Sequence, residues 1–151
     1  MKPEEYAALY KLEMLGGEEL PRIAMKWIED GVESQALIEL AWERSPTLGD
    51  AAPLFEAGLR DIGVAVPDKP RALLLLANIY CKQILSGAIS PFSGANNIWQ
   101  RVCMDDDAPE IAYEFVTYAD AIQNDGSPKS VEYFNQEIVD AAKRLVAAVH
   151  V

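Results

Sequence analysis

Histidine occurs once, at His150, and cysteine twice, at Cys81 and Cys103. No apolar run exceeds the six residues from Ala72 to Ala77. Each scarcity bears on function. With a single histidine beside the C-terminus there can be no Ser-His-Asp triad in the core, no H-E-x-x-H zinc site and no paired Glu-x-x-His di-iron site. Neither G-x-x-x-x-G-K-[ST] nor G-x-G-x-x-G appears, so no phosphate cradle is written into the chain. The expectation is therefore no cofactor, no metal ligand set and no catalytic residue that can be named. Carboxylate-only catalysis stays open, because two acids brought together by folding leave no trace in sequence.

Six apolar residues cannot cross a bilayer. The opening Met1-Lys2-Pro3-Glu4-Glu5 puts acid where a signal peptide needs base. The two cysteines fit no metal or redox spacing and lie in apolar helical sequence, where free cysteine behaves as a small hydrophobe. A reducing, cytoplasmic setting is the expectation.

Base is also scarce. Thirteen Lys and Arg stand against 24 Asp and Glu, leaving a formal net charge of −11. Such a surface repels phosphate backbones and anionic lipid, so neither nucleic acid nor membrane is an expected partner, whereas a basic protein is. Half of the 151 residues are apolar and a quarter charged, a globular composition long enough to bury a core. No linker interrupts it, and one helical domain over residues 1–151 is expected, with the oligomeric state open.

What the chain does contain is helix grammar. Tyr6, Leu9 and Tyr10 set a helical spacing that Gly16-Gly17 should stop. Leu20, Ile23, Ala24, Trp27 and Ile28 form a full apolar stripe ending before Gly31. Ser34 should cap a third helix carrying Leu37, Leu40 and Ala41, and Asp50 a fourth with Leu54, Phe55, Leu59 and Ile62 before Gly63. Val64-Ala65-Val66 is too short for more than a connector. Asp68 should start a long helix with Leu73, Leu76, Ala77, Tyr80 and Ile84 that stops at Gly87.

Ser90-Pro91 reads as a cap followed by proline at the first helical position. Phe92, Ala95, Ile98, Trp99 and Val102 follow on one face. Pro109 should open a seventh helix through Phe115 and Ile122. After the turn Asn124 to Pro128, the last should run from about Ser130 through Ile138 and Leu145. Pro21 to Val32 echoes Pro53 to Val64 at an offset of 32 residues, with Trp27 over Leu59 and Ile23 over Phe55. The predicted fold is all-α, an orthogonal bundle of about eight short helices; a short solenoid-like stack of helical hairpins is the alternative.

Two stretches depart from the average. Residues 69 to 104 hold Lys69, Arg71, Lys82 and Arg101 but no carboxylate, in a chain where about one residue in six is acidic. Either they form the central hairpin, shedding charge because burying it is expensive, with Gly94-Ala95 allowing close helix approach. Or they line a pocket with Tyr80, Asn96, Asn97 and Trp99. Between Arg101 and Lys129 the chain then has seven acids and no base, among them Asp105, Asp106, Asp107, Glu110 and Glu114. Some of this is charge at a helix N-terminus. The rest reads as a solvated face, a partner face or, without an EF-hand pattern, a cation site. Trp27 and Trp99 lie on core stripes. Trp42 ends a helix with almost no polar face, so that helix is either buried all round or exposes an apolar contact patch.

The run Ile84-Leu85-Ser86-Gly87-Ala88-Ile89-Ser90-Pro91-Phe92-Ser93-Gly94-Ala95-Asn96-Asn97-Ile98-Trp99, with Pro53-Leu54-Phe55 and Leu59-Arg60, resembles a segment of an uncharacterised family of small α-helical bacterial proteins. The resemblance implies a helical fold and a bacterial origin, and assigns no catalytic residue.

The functional expectation is a non-enzymatic protein-binding domain. An acidic immunity-type protein masking a basic partner is one concrete form, with Asp105, Asp106, Asp107, Glu110 and Glu114 as the partner face. The alternative is a small-molecule-binding protein or carboxylate-dependent enzyme with its pocket in the 69–104 hairpin. A purely structural role as a subunit of a homo-oligomer is the third.

Overall fold

A computed structural model describes residues 1–150. It is an all-α bundle: α1 Pro3–Lys11, α2 Glu19–Glu29, α3 Gln35–Ala41, α4 Leu48–Asp61, α5 Lys69–Ser86, α6 Pro91–Ile98, α7 Tyr113–Asn124 and α8 Pro128–Val149. A π-helical turn, Trp99–Cys103, continues α6, and a 3-10 turn, Glu110–Ala112, precedes α7. No strand occurs among the described residues, and no helix is long and apolar enough to cross a membrane. The contacts group the chain into two compact units, Met1–Asp68 and Lys69–Val151.

Helix starts follow side-chain chemistry. Ser34, Thr47, Ser90 and Ser127 each accept a hydrogen bond from the backbone N–H three residues on, at 3.2, 3.2, 3.1 and 3.4 Å. Each such cap satisfies a donor the helix cannot, and contributes about 1 kcal/mol. Two expected starts are thereby corrected. Thr47, not Asp50, caps α4; Asp50 is the reciprocal acid of a capping box, its carboxylate accepting from the Thr47 N–H at 3.3 Å. The last helix starts at Pro128 rather than near Ser130, because Ser127 caps it and proline sits without cost in the first turn. The seventh starts later than Pro109 implied: Pro109 leads only the 3-10 turn, and α7 begins at Tyr113.

Three helix stops share one device. Gly31, Gly63 and Gly87 all have positive φ, and the residue after each donates back to the carbonyl five residues earlier: Val32 to Trp27, Val64 to Leu59 and Ala88 to Gln83. The two helices of the offset-32 echo, α2 and α4, end alike, but α5 outside the echo ends in the same way, so the shared stop is ordinary helix termination and not a sign of a repeat. The first helix breaks the pattern and corrects the expectation that Gly16-Gly17 stops it. It ends at Lys11 through the same motif, with Met14 donating to Leu9 at 2.9 Å and Glu13 in the left-handed position at φ 59°. A Cβ is strained there by about 1–2 kcal/mol. Glu13→Gly should relieve that strain, partly offset by the freer unfolded chain. A net gain of about 0.5–1 kcal/mol in denaturant unfolding is expected; a loss would mean that Glu13 makes a compensating contact.

In the first unit the core gathers Leu15, Leu20, Ala24, Trp27, Leu37, Leu40, Phe55 and Leu59, all buried. Trp27 stacks on Phe55 at 5.8 Å between ring centroids, and Tyr6 and Tyr10 close on the pair edge-on and tilted. Gly58 lets α4 approach α3: a Cβ there would lie 2.3 Å from Leu37 Cδ2. Ser34 ties the same two helices, its hydroxyl donating to Asp61 at 2.6 Å.

The second unit is organised by α5, ten of whose residues are buried, including Leu73, Leu76, Cys81 and Ile84. It packs against α8 and α6, and α7 packs on both of those. Gly94 and Ala95 of α6 are buried, with Gly94 so close that a Cβ would meet Ile84 at 2.3 Å. The carboxylate-free stretch is thus the inner helix of this unit and the partner laid against it.

Candidate functional site

The acidic run leaves the π-helical turn and passes through the 3-10 turn into α7. Its two ends are drawn together where the Cys103 thiol donates to the Ala112 carbonyl at 3.5 Å. The next residues along each strand of chain, Met104 and Tyr113, are exposed to 68% and 44%. Asp106, Asp107 and Glu110 are exposed with them.

The five acids do not act as one face. Asp105 is half-buried, holds Lys69 at 2.8 Å and accepts from the Asp107 N–H at 2.9 Å. The ammonium and these hydrogen bonds hold its carboxyl below the usual range, while Asp105 and its acidic neighbours raise Lys69. Glu114 pairs with Arg144 of α8. The base missing from the local sequence is supplied by distant helices, which corrects the picture of an uncompensated block. Glu110 lies in the 3-10 turn, outside α7, whereas Glu114 lies within it. Among the described residues, no three carboxylate, histidine or cysteine side chains are grouped as metal ligands.

The residues of the alternative pocket are dispersed in character. Tyr80 is buried on α5; burial raises its phenol, opposed by a hydrogen bond with the Arg101 guanidinium. Asn96 and Asn97 are half-buried on α6, as is Trp99 where the π-helical turn begins. An open groove of about 550 Å³ on this unit runs instead between Pro91 and α8. It is lined by Val131, Val139 and Asn135, whose buried Oδ1 lacks a hydrogen-bond partner. Sequence reasoning missed it because its walls lie at distant positions.

Both thiols are raised by their surroundings. Burial, helped by the charge of Glu114, pushes Cys81 up to about 12, and burial alone takes Cys103 to about 11. Both are thiols at neutral pH, and the thiolate is the reactive form. His150 is exposed at the end of α8. In the first unit, burial and the Glu56 carboxylate that accepts its hydroxyl at 2.9 Å push Tyr10 up to about 12, a structural bond behind the aromatic cluster.

The first unit holds what the sequence left as a choice about Trp42. The indole is 77% exposed and Ile38, one turn earlier, 39% exposed, so α3 is not enclosed. Ile38 also lines an open groove of about 640 Å³ with Ile28 and Val32. Comparison of the chain with protein-family models, curated proteins and solved structures returns no match.

Proposed function

We propose that the chain is a non-enzymatic protein-binding protein whose second unit meets a basic partner through Met104, Asp106, Asp107, Glu110 and Tyr113. The observation that carries the reading is two exposed large apolar side chains set among exposed carboxylates. An apolar anchor within a charged rim is how protein interfaces divide affinity from steering. Asp105 and Glu114 are left out of the contact face, since Lys69 and Arg144 already engage them. A formal charge of −11 supports a basic partner over nucleic acid. An acidic immunity-type protein that masks a basic partner is the specific form.

The test is capture from the native lysate at low and high salt, followed by association kinetics with the captured protein. Asp106→Asn, Asp107→Asn and Glu110→Gln together should slow association by about tenfold and flatten its salt dependence. Met104→Ala with Tyr113→Ala should instead speed dissociation. Unchanged capture and kinetics in both variants would refute the reading.

A further inference from the structure

Trp42 is the most exposed of the large apolar side chains described. An indole left in water forgoes the burial of about 150–250 Å² that makes aromatic residues useful in cores. The first unit does not need it inside, because α3 already contributes Leu37 and Leu40, both fully buried. Helical spacing puts Ile38 and Trp42 on one face, and Ile38 also lines the groove formed with Ile28, Val32, Glu33, Ser34 and Gln35. The result is an apolar strip with a depression at one end.

The stretch of chain between Lys26 and Arg44 carries charge of one sign. Glu29, Asp30, Glu33, Glu39 and Glu43 are all exposed, and no basic residue lies between Lys26 and Arg44. Asp61 adds a carboxylate at the start of α3 through Ser34. This charge selects among occupants. A second copy of the chain would bring the same carboxylates against themselves, which disfavours self-association. Anionic lipid is repelled for the same reason. A segment that offers cations around an apolar side chain satisfies both the strip and its rim.

We infer that the α2–α3 edge is a docking surface for a lysine- and arginine-rich amphipathic helical segment of a partner protein. The partner's apolar residues fill the Ile28–Val32–Ile38 groove and cover Trp42. Its cations meet the carboxylates at the margin. This is helix-in-groove recognition, with a tryptophan as the anchor. It concerns a different unit from the Met104–Tyr113 face and does not rest on that reading, so either can fail alone.

The test uses the full chain and a fluorescein-labelled synthetic helical peptide with leucine on one face and lysine on the other, followed by anisotropy. Trp42→Ala and Ile38→Ala should each weaken binding at least about tenfold. Tyr133→Ala, which removes an exposed aromatic from α8, should leave it within about twofold. A peptide of equal charge with serine replacing leucine should bind at least about tenfold more weakly than the leucine peptide. The proposal is overturned if the leucine peptide does not bind, if Trp42→Ala binds as the parent does, or if the serine peptide binds equally well. Sedimentation that shows a Trp42-dependent dimer, or Trp42-dependent capture by neutral lipid vesicles without peptide binding, would also overturn it.

Discussion

Phe55→Ala is expected to destabilise the Met1–Asp68 unit by about 3–5 kcal/mol, among the largest losses available to one substitution. Phe55 is fully buried and meets both Trp27, at 5.8 Å, and Tyr10, at 5.1 Å. Truncation removes the transfer free energy of the ring and leaves a cavity between two aromatics that cannot both move in. Tyr10 is held by its hydrogen bond to Glu56, one residue from the deletion. Trp27 is held by Tyr6 on its other side. Chemical denaturation followed by tryptophan emission measures the loss. A cost below about 1 kcal/mol would mean that the cluster collapses freely and that Phe55 is not its centre.

The second expected effect separates two adjacent glycines. Gly17→Ala should cost about 3 kcal/mol, while Gly16→Ala should change stability by no more than about 0.5 kcal/mol. A Cβ on Gly17 would lie 2.4 Å from the Pro46 carbonyl oxygen, 2.6 Å from the Thr47 carbonyl carbon and 2.7 Å from the Leu48 nitrogen. Those are backbone atoms, so no side-chain rotation relieves the overlap and the segment itself must shift. That segment contains the Thr47–Asp50 capping box that starts α4, so part of a cap is lost with the packing. A Cβ on Gly16 meets nothing within 4 Å. Equal effects of the two substitutions in thermal or denaturant unfolding would contradict the close approach.

The pair also shows where sequence reasoning is strong and where it is blind. Gly16-Gly17 looked like a helix stop, because glycine after an apolar stripe usually is one. The stop had already occurred at Glu13, whose side chain gave no sign of a left-handed backbone. By contrast, Gly31, Gly63 and Gly87 were legible as stops, and Ser34 and Ser90 as caps, because those motifs are complete within six residues. Gly94-Ala95 was legible as a close-packing site, since small residues in an apolar helix have few other uses, and Gly94 does lie against Ile84.

The candidate surfaces were legible only in part. Asp105 to Glu114 stood out as a run of one charge, and Trp42 as an aromatic on a helix with almost no polar face. Which of those acids reach solvent, and whether Trp42 is inside or outside, depended on residues far along the chain.

Local order was therefore determined by the sequence alone: the helices, the caps at Ser34 and Ser90, the absence of strands among the described residues, and a strongly negative exterior. These follow from backbone hydrogen bonding and apolar spacing, which act within a turn or two. Only the tertiary structure decided that Lys69 would take Asp105 and Arg144 would take Glu114, and that Gly17 would lie under Pro46. It likewise decided that Met104, Tyr113 and Trp42 would remain outside. Such pairings are selected by the packing of whole helices, and periodicity specifies which face of a helix is apolar but not what comes to lie against it.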